Sequence, residues 1–174
     1  MVPRFTPVAD HALLVTFGDA IDDASHEAVL ALDQRLSDDP PAGMIQAVPA
    51  LVNLLVEFDP LATTHDAIRA AVAARLGGGP SANQGTVRRV EVCYDGNLAP
   101  DLCALADATG LTLEGVINAH LSGDYRVMMY GFSPGYAYMA GVPDAIQVPR
   151  KRAAVRDVPA GSVIVAGPQC LITT

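Results

Sequence analysis

The sequence predicts an α+β fold in two parts, a mixed region of helices and strands followed by a mainly β region. In the first half, apolar residues alternate with period two in some stretches and recur with helical period in others. The resulting order β-α-β-β-α-β is that of a split β-α-β, ferredoxin-like unit. Beyond Tyr94, glycine and proline interrupt the apolar runs, as in a β-barrel or sandwich with long connections. We expect one domain over residues 1–88 and a second over residues 89–174.

The predicted elements of the first part alternate with turn signals. In chain order they are a strand within Arg4–Gly18, a helix over Ile21–Leu36, a hairpin within Met44–Asp59, a helix over His65–Leu76 and a strand over Thr86–Tyr94. Pro49 divides the hairpin into two apolar stretches, and Thr63 or Thr64 can cap the second helix. The glycine-rich segment Gly77–Gly85 is a candidate domain linker, unless the strand after it completes the first sheet.

The second part begins with two short helices. Pro100 stands in the first turn of one helix, which Gly110 ends, and Thr112 caps the next. Three apolar runs predict short strands, namely Tyr125–Tyr130, Ser162–Ala166 and Cys170–Thr173. Between the first two of these runs, turn residues dominate the sequence.

Charge and composition exclude several classes of protein. The 174 residues are 51% apolar and 17% charged with a net charge of −8, which is typical of a globular chain without the broad basic face of a nucleic-acid-binding protein. The start of the chain has no signal-peptide core, and no window approaches a membrane span. Three cysteines without C-x-x-C spacing predict neither a disulfide framework nor a zinc site. We therefore expect a cytoplasmic protein that binds no metal, nucleic acid or membrane.

The segment Gly131–Gly135 matches G-x-S-x-G, the nucleophile-elbow pattern of α/β-hydrolases. In that mechanism the residue after the serine donates its backbone N–H to the oxyanion hole. Here that residue is Pro134, which has no N–H, and the glycines and proline that follow make a poor helix. We interpret the segment as a rigid turn and not as the site of a catalytic Ser133.

The histidines identify no catalytic centre. We expect His11, His26 and His65 at the surface, because they lie on different elements far apart in the sequence. His120 lies on the apolar side of its helix, where a core histidine with a satisfied nitrogen is the common role and substrate contact is the alternative. The chain also lacks a G-x-x-x-x-G-K-[ST] phosphate loop. The catalytic residues stay unassigned.

Two arginines are stronger candidates for a binding role. Arg150 follows Pro149, and Arg156 precedes the Val-Pro-Ala-Gly turn that contains Pro159. Prolines near both residues restrict the backbone from which two planar guanidinium groups project. Such groups suit a carboxylate, carbamate or phosphate. The alternative is a solvated basic turn in which Asp157 neutralises one of the arginines.

Taken together, these motifs resemble the first subunit of the allophanate hydrolase/5-oxoprolinase family. The resemblance rests on GFSPGYAYMAGV from Gly131, on the pair Pro149-Arg150, and on Arg156 before VPAGSVIVAGPQ. It extends to the earlier segments Val48–Ala50 and Val90–Tyr94. The family includes the B subunits of 5-oxoprolinases and the Kip inhibitor of a sporulation histidine kinase.

The resemblance implies a ferredoxin-like N-terminal domain followed by a cyclophilin-like β-barrel. Because family members continue beyond the position of Thr174, it also implies a barrel that is incomplete at the C-terminus. It places the chain in a heteromeric amide-cleaving hydrolase, first of all as the B subunit of an ATP-dependent 5-oxoprolinase that converts 5-oxoproline to glutamate. Alternatives are allophanate hydrolase subunit 1, a carboxyltransferase-like subunit for urea-derived substrates, and a Kip-type histidine kinase inhibitor.

The resemblance also implies partners and site residues. The partners are a homologous second barrel subunit (the C subunit of 5-oxoprolinase or allophanate hydrolase subunit 2) and a LamB/YcsF-type third subunit. ATP is implied for the assembled complex, and the isolated chain is expected to be inactive. The substrate-binding residues expected from the resemblance and from the patterns above are Phe132, Pro134, Gly135, Tyr138, Arg150, Arg156, Gly161, Gln169 and His120.

Overall fold

The computed structural model describes residues 2–77 and 85–174, which form two compact units divided between Thr86 and Val87. The fold is α+β, with one antiparallel four-stranded sheet in each unit. Within the described ranges, no helix has the length and apolar character needed to cross a membrane.

The first unit contains four strands and two helices. They are β1 (Arg4–Val8), β2 (Ala12–Thr16), α1 (Asp23–Asp38), β3 (Met44–Ala50), β4 (Asn53–Phe58) and α2 (His65–Ala74). The strand order is β1-β2-β4-β3, and every neighbouring pair is antiparallel. Strands β2 and β3 are therefore parallel to each other, with β4 between them and α1 connecting them. Strands β2 and β3 with α1 thus form a split β-α-β unit, whereas the observed order β-β-α-β-β-α differs from the predicted order β-α-β-β-α-β.

The predicted strand over Thr86–Tyr94 is wrong, because these residues form neither helix nor strand. Val87 and Val90, which a core-facing strand would bury, are 95% and 58% exposed. The sheet edge beside β2 is occupied instead by β1, which pairs with β2 across a loop of three residues. A loop this short closes at little entropic cost, so the local hairpin fills the edge. Most of the candidate linker, residues 78–84, lies outside the described residues.

The predicted hairpin is confirmed as β3 and β4, but its turn lies at Leu51–Val52 and Pro49 belongs to β3. Proline is tolerated there because β3 is an edge strand. Leu51 has a left-handed backbone with φ of 43°, and its carbonyl oxygen lies 2.9 Å from Nδ1 of His26. His26 is buried, so the expected surface position is wrong for this histidine, which supports the turn from inside the core.

Alternation in β2 and β4 builds the core of the first unit. The buried side chains are Leu13, Val15, Phe17, Val29, Leu32, Leu36, Leu54, Val56, Phe58, Ile68 and Val72. Burial of one such side chain stabilises the fold by about 1.5–3 kcal/mol. Asp22 caps α1 by accepting from the Ser25 N–H at 2.8 Å, and Thr64 caps α2 by accepting from the Ala67 N–H at 3.3 Å.

The second unit contains α3 (Leu102–Thr109), α4 (Leu113–Leu121), β5 (Arg126–Tyr130), β6 (Ala137–Ala140), a 3₁₀ turn (Asp144–Ile146), β7 (Val163–Ala166) and β8 (Gln169–Ile172). Two of the predicted helix signals are confirmed, but Pro100 precedes the N-cap residue Asp101 and does not lie in the first turn of α3. Gly110 ends α3 with φ of 72°, and Thr112 caps α4 by accepting from the Gly115 N–H at 3.0 Å. The sequence did not predict β6, whose four residues lie between glycine-rich turns.

The second sheet has the order β5-β6-β8-β7, and β5 and β7 are its edges in the described part of the chain. One face packs on α3 and α4 through side chains that include Cys170, Met139, Val163 and Val165. Because side chains alternate along a strand, the residues between these point to the opposite face. That face carries a half-buried row across all four strands in direct register: Ile164, Leu171, Tyr138 and Met129.

Candidate functional site

The loop between β5 and β6 consists of two successive tight turns. The Ser133 N–H donates to the Gly131 carbonyl at 2.9 Å around Phe132, whose φ is 68°. The Tyr136 N–H then donates to the Ser133 carbonyl at 3.0 Å across Pro134 and Gly135. Gly135 has φ of 80°, so Pro-Gly occupies the central positions of a type II turn. The predicted turn is confirmed, while its rigidity stays a prediction.

Aromatic rings extend from this loop onto the sheet. The ring of Phe132 lies 5.3 Å from that of Tyr136, which in turn lies 5.3 Å from that of Tyr138, all measured between centroids. The pairs are tilted by about 60°, a favourable arrangement for aromatic contacts. Tyr138 continues the line into the half-buried row on the face opposite the helices.

A second turn lies at the same end of the sheet. Ser162 N–H donates to the Pro159 carbonyl at 3.2 Å across Gly161, whose φ is 82°. The hydroxyl of Thr173 donates to the same carbonyl at 2.7 Å. The next residue, Thr174, has its Oγ1 3.0 Å from Oγ of Ser133 in the β5–β6 loop. Adjacent residues at the end of β8 therefore connect the two turns.

The structure brings some of the predicted site residues together and separates others. Phe132, Pro134 and Gly135 line a shallow, open depression with Tyr130, Gly131 and Ser133. Gly161 lies at the same end of the sheet, because its N–H donates to the Thr173 carbonyl and the next residue, Thr174, contacts Ser133. Gln169 pairs with Ala166 at the other end of β7 and β8, so it does not join this group.

The two candidate arginines lie on an exposed segment over 149–161 that contains neither helix nor strand. Gly167 N–H donates to the Val148 carbonyl at 2.7 Å, so this segment leaves from the Gly167 end of the sheet near Arg150. The segment then crosses to the opposite end of the sheet, where Pro159 lies three residues after Arg156. Within the residues described, neither guanidinium has a hydrogen bond or an ion pair, and neither pairs with Asp157. Both are available to an anion.

His120 belongs to a separate aromatic cluster. Its Nδ1 lies 2.6 Å from the hydroxyl of Tyr94, and its carbonyl accepts from the Tyr125 hydroxyl at 2.9 Å. Burial lowers the pKa of His120, raises the pKa of Tyr125 to about 12, and raises the pKa of the Cys170 thiol to about 11. A neutral histidine with Nδ1 occupied by a tyrosine fits the core-histidine alternative, while its contact with substrate stays a prediction.

The hydrogen-bond partners of His120 and Ser133 could not be predicted from the sequence. The alternating pattern assigns Tyr94 to a strand, and nothing in the spacing pairs it with His120. Thr174 stands 41 positions after Ser133, so their hydrogen bond follows from strand register alone. Tyr130 ends a predicted strand, and its 68% exposure beside Phe132 could have been anticipated only from the turn that follows it.

Two observations concern catalytic groups among the described residues. They include no group of three or more histidine, cysteine, aspartate or glutamate side chains that could hold a metal ion. The described hydrogen-bond partner of the Ser133 hydroxyl is the Thr174 hydroxyl, which is not a base. The arrangement offers aromatic, hydroxyl and guanidinium groups that can position a ligand.

Comparison with known proteins identifies relatives over nearly the whole chain. Residues 3–174 match the family described as carboxyltransferase domain, subdomain C and D. The chain is 32% identical to the 5-oxoprolinase B subunit of Bacillus subtilis (strain 168) over 93% of this chain and 72% of the relative. It is 34% identical to the 5-oxoprolinase B subunit of Escherichia coli O157:H7 over 84% of this chain and 66% of that relative. The resemblance inferred from the motifs is confirmed.

The fold is also found in a solved structure. The crystal structure of TTHA0988 superposes with a TM-score of 0.78 at 35% sequence identity, covering 92% of this chain and 32% of that one. The chain thus corresponds to about two thirds or more of the two bacterial subunits and to about a third of TTHA0988.

Proposed function

The chain belongs to the family of carboxyltransferase domains, subdomains C and D, and from this premise we propose that it acts as the B subunit of a heteromeric, ATP-dependent 5-oxoprolinase. The observation that carries the proposal is the 32% identity to a 5-oxoprolinase B subunit over 93% of this chain. In the proposed reaction, water adds to the lactam carbonyl of 5-oxoproline, the ring C–N bond breaks, and the nitrogen becomes the amine of glutamate. ATP hydrolysis in the assembled complex drives this ring opening.

The exposed arginines support a role in holding the substrate carboxylate. A guanidinium group donates two parallel hydrogen bonds to a carboxylate, and charge-assisted bonds of this kind are stronger than neutral ones. We assign this role to Arg150 and Arg156, which lack partners in the described part of the chain. Pro134, Gly135 and Tyr138 contribute apolar surface toward the ring of the substrate. Phe132 and Gly161, at the same end of the sheet, belong to this proposed set. Gln169, at the other end of β8, and His120, in its separate cluster, stay predictions from the sequence and from the resemblance.

Two observations support a subunit that is inactive alone. The described residues offer no metal-binding cluster, and the described partner of the Ser133 hydroxyl is Thr174, which is not a base. We propose that a homologous second barrel subunit and a LamB/YcsF-type third subunit supply the missing groups, and that the complex works in the cytoplasm. The split β-α-β order of the first sheet supports a ferredoxin-like first domain, and the open second sheet supports part of a cyclophilin-like barrel.

A carboxyltransferase-like subunit for urea-derived substrates is the second candidate. It is favoured by the matched family, which is described as a carboxyltransferase domain. Allophanate is an anion with an amide bond, so the same arginines and turns would suit it. Of the residues described, none specifically favours a Kip-type kinase inhibitor.

The test is to assay 5-oxoproline with ATP, and separately allophanate, using this polypeptide with and without its two proposed partner subunits. We expect ATP-dependent glutamate formation only in the mixture. Arg150→Ala and Arg156→Ala should each raise KM about tenfold or more, the scale for loss of a charge-assisted hydrogen bond. Arg88→Ala, at a residue that is also exposed, is the matched control and should leave KM unchanged.

Turnover of allophanate in place of 5-oxoproline would transfer the function to the second candidate. Turnover by the isolated chain at the rate of the mixture would disprove the heteromeric assignment. Unchanged kinetics for both arginine variants would return these residues to the solvated-turn interpretation.

A further inference from the structure

The segment over 149–161, which we call the arginine segment, is held by two contacts at its start. Where it leaves the sheet, the Val148 carbonyl accepts from the Gly167 N–H at 2.7 Å. Three residues further on, Nζ of Lys151 forms an ion pair with Oδ2 of Asp101 at 2.6 Å. Arg150 lies between these two contacts. The contacts therefore limit where its backbone can lie.

The two arginines of the proposed binding set differ in this respect. The stretch between the two contacts spans at most about 11 Å of chain, and Pro149 restricts its backbone before Arg150. Within the described ranges, the stretch over 152–158 forms no hydrogen bond, so Arg156 lacks such support. A guanidinium group on a fixed backbone loses less conformational freedom when it binds an anion. Of the two residues, Arg150 is therefore the one that is pre-organised.

The carboxylate of Asp101 contacts the arginine segment and does not cap its own helix. Asp101 is the N-cap residue of α3, a position at which a carboxylate usually accepts from an N–H group of the first turn. Here its backbone has φ of −93° and ψ of −4°, and its side chain forms no capping hydrogen bond. The carboxylate instead accepts from Nζ of Lys151. This pair connects the start of the arginine segment to the helix layer of the second unit.

We propose that Asp101 and Lys151 are positioning residues, whose ion pair holds Arg150 where it receives the carboxylate of the substrate. Lys151 acts through the backbone of its neighbour and is not itself a ligand of the anion, because a carboxylate already lies 2.6 Å from its Nζ. Asp101 acts from α3, which contributes no residue to the proposed binding set. The proposal rests on the proposed function for the role of Arg150, and it adds two residues that do not touch the substrate.

The first experiment follows limited trypsin digestion of this polypeptide by mass spectrometry. Trypsin cleaves after lysine and arginine, and its rate reports how often a segment opens. Asp101→Asn removes the ion pair, and α3 should be unaffected because asparagine is as good an N-cap residue as aspartate. Cleavage after Arg152 should become about three- to fivefold faster, the upper range for an exposed ion pair. Cleavage after Arg89, in another exposed stretch without helix or strand, should keep its rate.

The second experiment measures KM and kcat for 5-oxoproline with ATP in the mixture with the two proposed partner subunits. Asp101→Asn should raise KM about three- to fivefold and leave kcat unchanged, because Arg150 is no longer held. The direction of the change separates two roles of Lys151. This variant also frees the lysine charge, so a lysine that binds the anionic substrate directly would lower KM.

Variants of Lys151 complete the second experiment. Lys151→Gln should raise KM by a similar factor, and combining it with Asp101→Asn should give no further rise, because both remove the same contact. Lys151→Arg keeps the charge and should leave KM within about twofold of the wild-type value. Asp19→Asn, which removes the exposed ion pair between Arg4 and Asp19 in the first unit, is the matched control and should not change KM. Circular dichroism of each variant confirms that it is folded.

The outcomes separate this proposal from the proposed function. An unchanged KM or an unchanged cleavage rate in Asp101→Asn would overturn the positioning role and leave the pair as a solvated surface contact. A lower KM in Asp101→Asn would overturn it as well and make Lys151 a ligand of the substrate. If the wild-type mixture turns over neither 5-oxoproline nor allophanate, the proposed function fails, and the trypsin rates alone decide whether the ion pair holds the arginine segment.

Discussion

The two units bury their apolar side chains to different extents. The first encloses a core of eleven buried side chains between its sheet and two helices, and five of these come from β2 and β4. The core cluster of the second has five, of which Cys170 belongs to a strand, and Met128 in β5 is also buried, outside that cluster. All residues of β6 and β7 are half-buried. The sheet of the first unit therefore contributes more fully buried side chains to its core than the described sheet of the second unit does.

The edge strands of the two sheets differ in whether they contain proline. Each edge strand of the first sheet contains a proline, Pro7 in β1 and Pro49 in β3, and proline cannot donate a hydrogen bond to an added strand. The edge strands of the second sheet, β5 and β7, contain none. Each edge strand of the first sheet therefore lacks one backbone donor, whereas the two described edge strands of the second sheet keep all of theirs.

The largest expected effect contrasts two phenylalanines. Phe58 is fully buried in the first core, and Phe58→Ala should lower the free energy of unfolding by about 3–5 kcal/mol through lost burial and a cavity. Phe132→Ala, at a residue that is 90% exposed in the second unit, should change it by less than about 1 kcal/mol. Urea denaturation followed by circular dichroism measures both. Equal losses would remove the contrast between the two units.

Substitutions at two glycines test how well the second unit tolerates an added methyl group. A Cβ at Gly141 would lie 2.0 Å from the Asp124 carbonyl oxygen, and the φ of Gly141 is 104°. Gly141→Ala should destabilise the unit by about 3 kcal/mol or more, because both the backbone and the clash oppose it. Gly110→Ala, at φ of 72° with nothing within 4 Å of the added carbon, should cost about 1 kcal/mol. Thermal unfolding compares them, and similar melting temperatures would show that the second unit adjusts freely.

The cysteines report local opening of the smaller core. Cys93 and Cys103 are exposed, whereas Cys170 is buried and its pKa is raised to about 11 by burial. At pH 8 a thiol reagent should modify two cysteines quickly and Cys170 about 100-fold more slowly, since the thiolate is the reactive form. The time course of colour release with an aromatic disulfide measures this. Three equally fast thiols would mean that the second core opens readily.

The smallest effect is expected at Ser133. Ser133→Ala removes the exposed hydrogen bond to Thr174, which is worth about 1 kcal/mol or less. The assembled complex should keep most of its activity, because Pro134 cannot provide the oxyanion donor that a nucleophilic serine would need. A loss of about a thousandfold in kcat would instead identify Ser133 as a nucleophile.

The sequence predicted those features that depend on neighbouring residues. Thr64 and Thr112 cap helices through hydrogen bonds three residues away, and Gly110 ends a helix through its own backbone freedom. Pairing between distant segments was not predictable in the same way. The alternation over Thr86–Tyr94 suits a strand but does not specify a partner, and β1 already occupies the edge it would have joined.

The candidate site shows the same limit. The Ser-Pro-Gly sequence determines a local turn, so the rigid loop around Pro134 was predictable from its residues. The separation of Gln169 from Phe132 depends on the register of β7 and β8, which is set by contacts between strands. The exposure of Phe132 depends on which segments pack against the loop. These segments are distant in the sequence, so the residues next to Phe132 do not predict its exposure.

The N-terminal hairpin gives the first unit a modular character. Because β1 closes the sheet beside β2, every strand of that sheet lies before residue 59 in the described part of the chain. None of the described residues after α2 pairs with this sheet, so insertions between the units should leave its strand pairing intact. Recombination at this position could exchange one unit for another during evolution without repacking the first core.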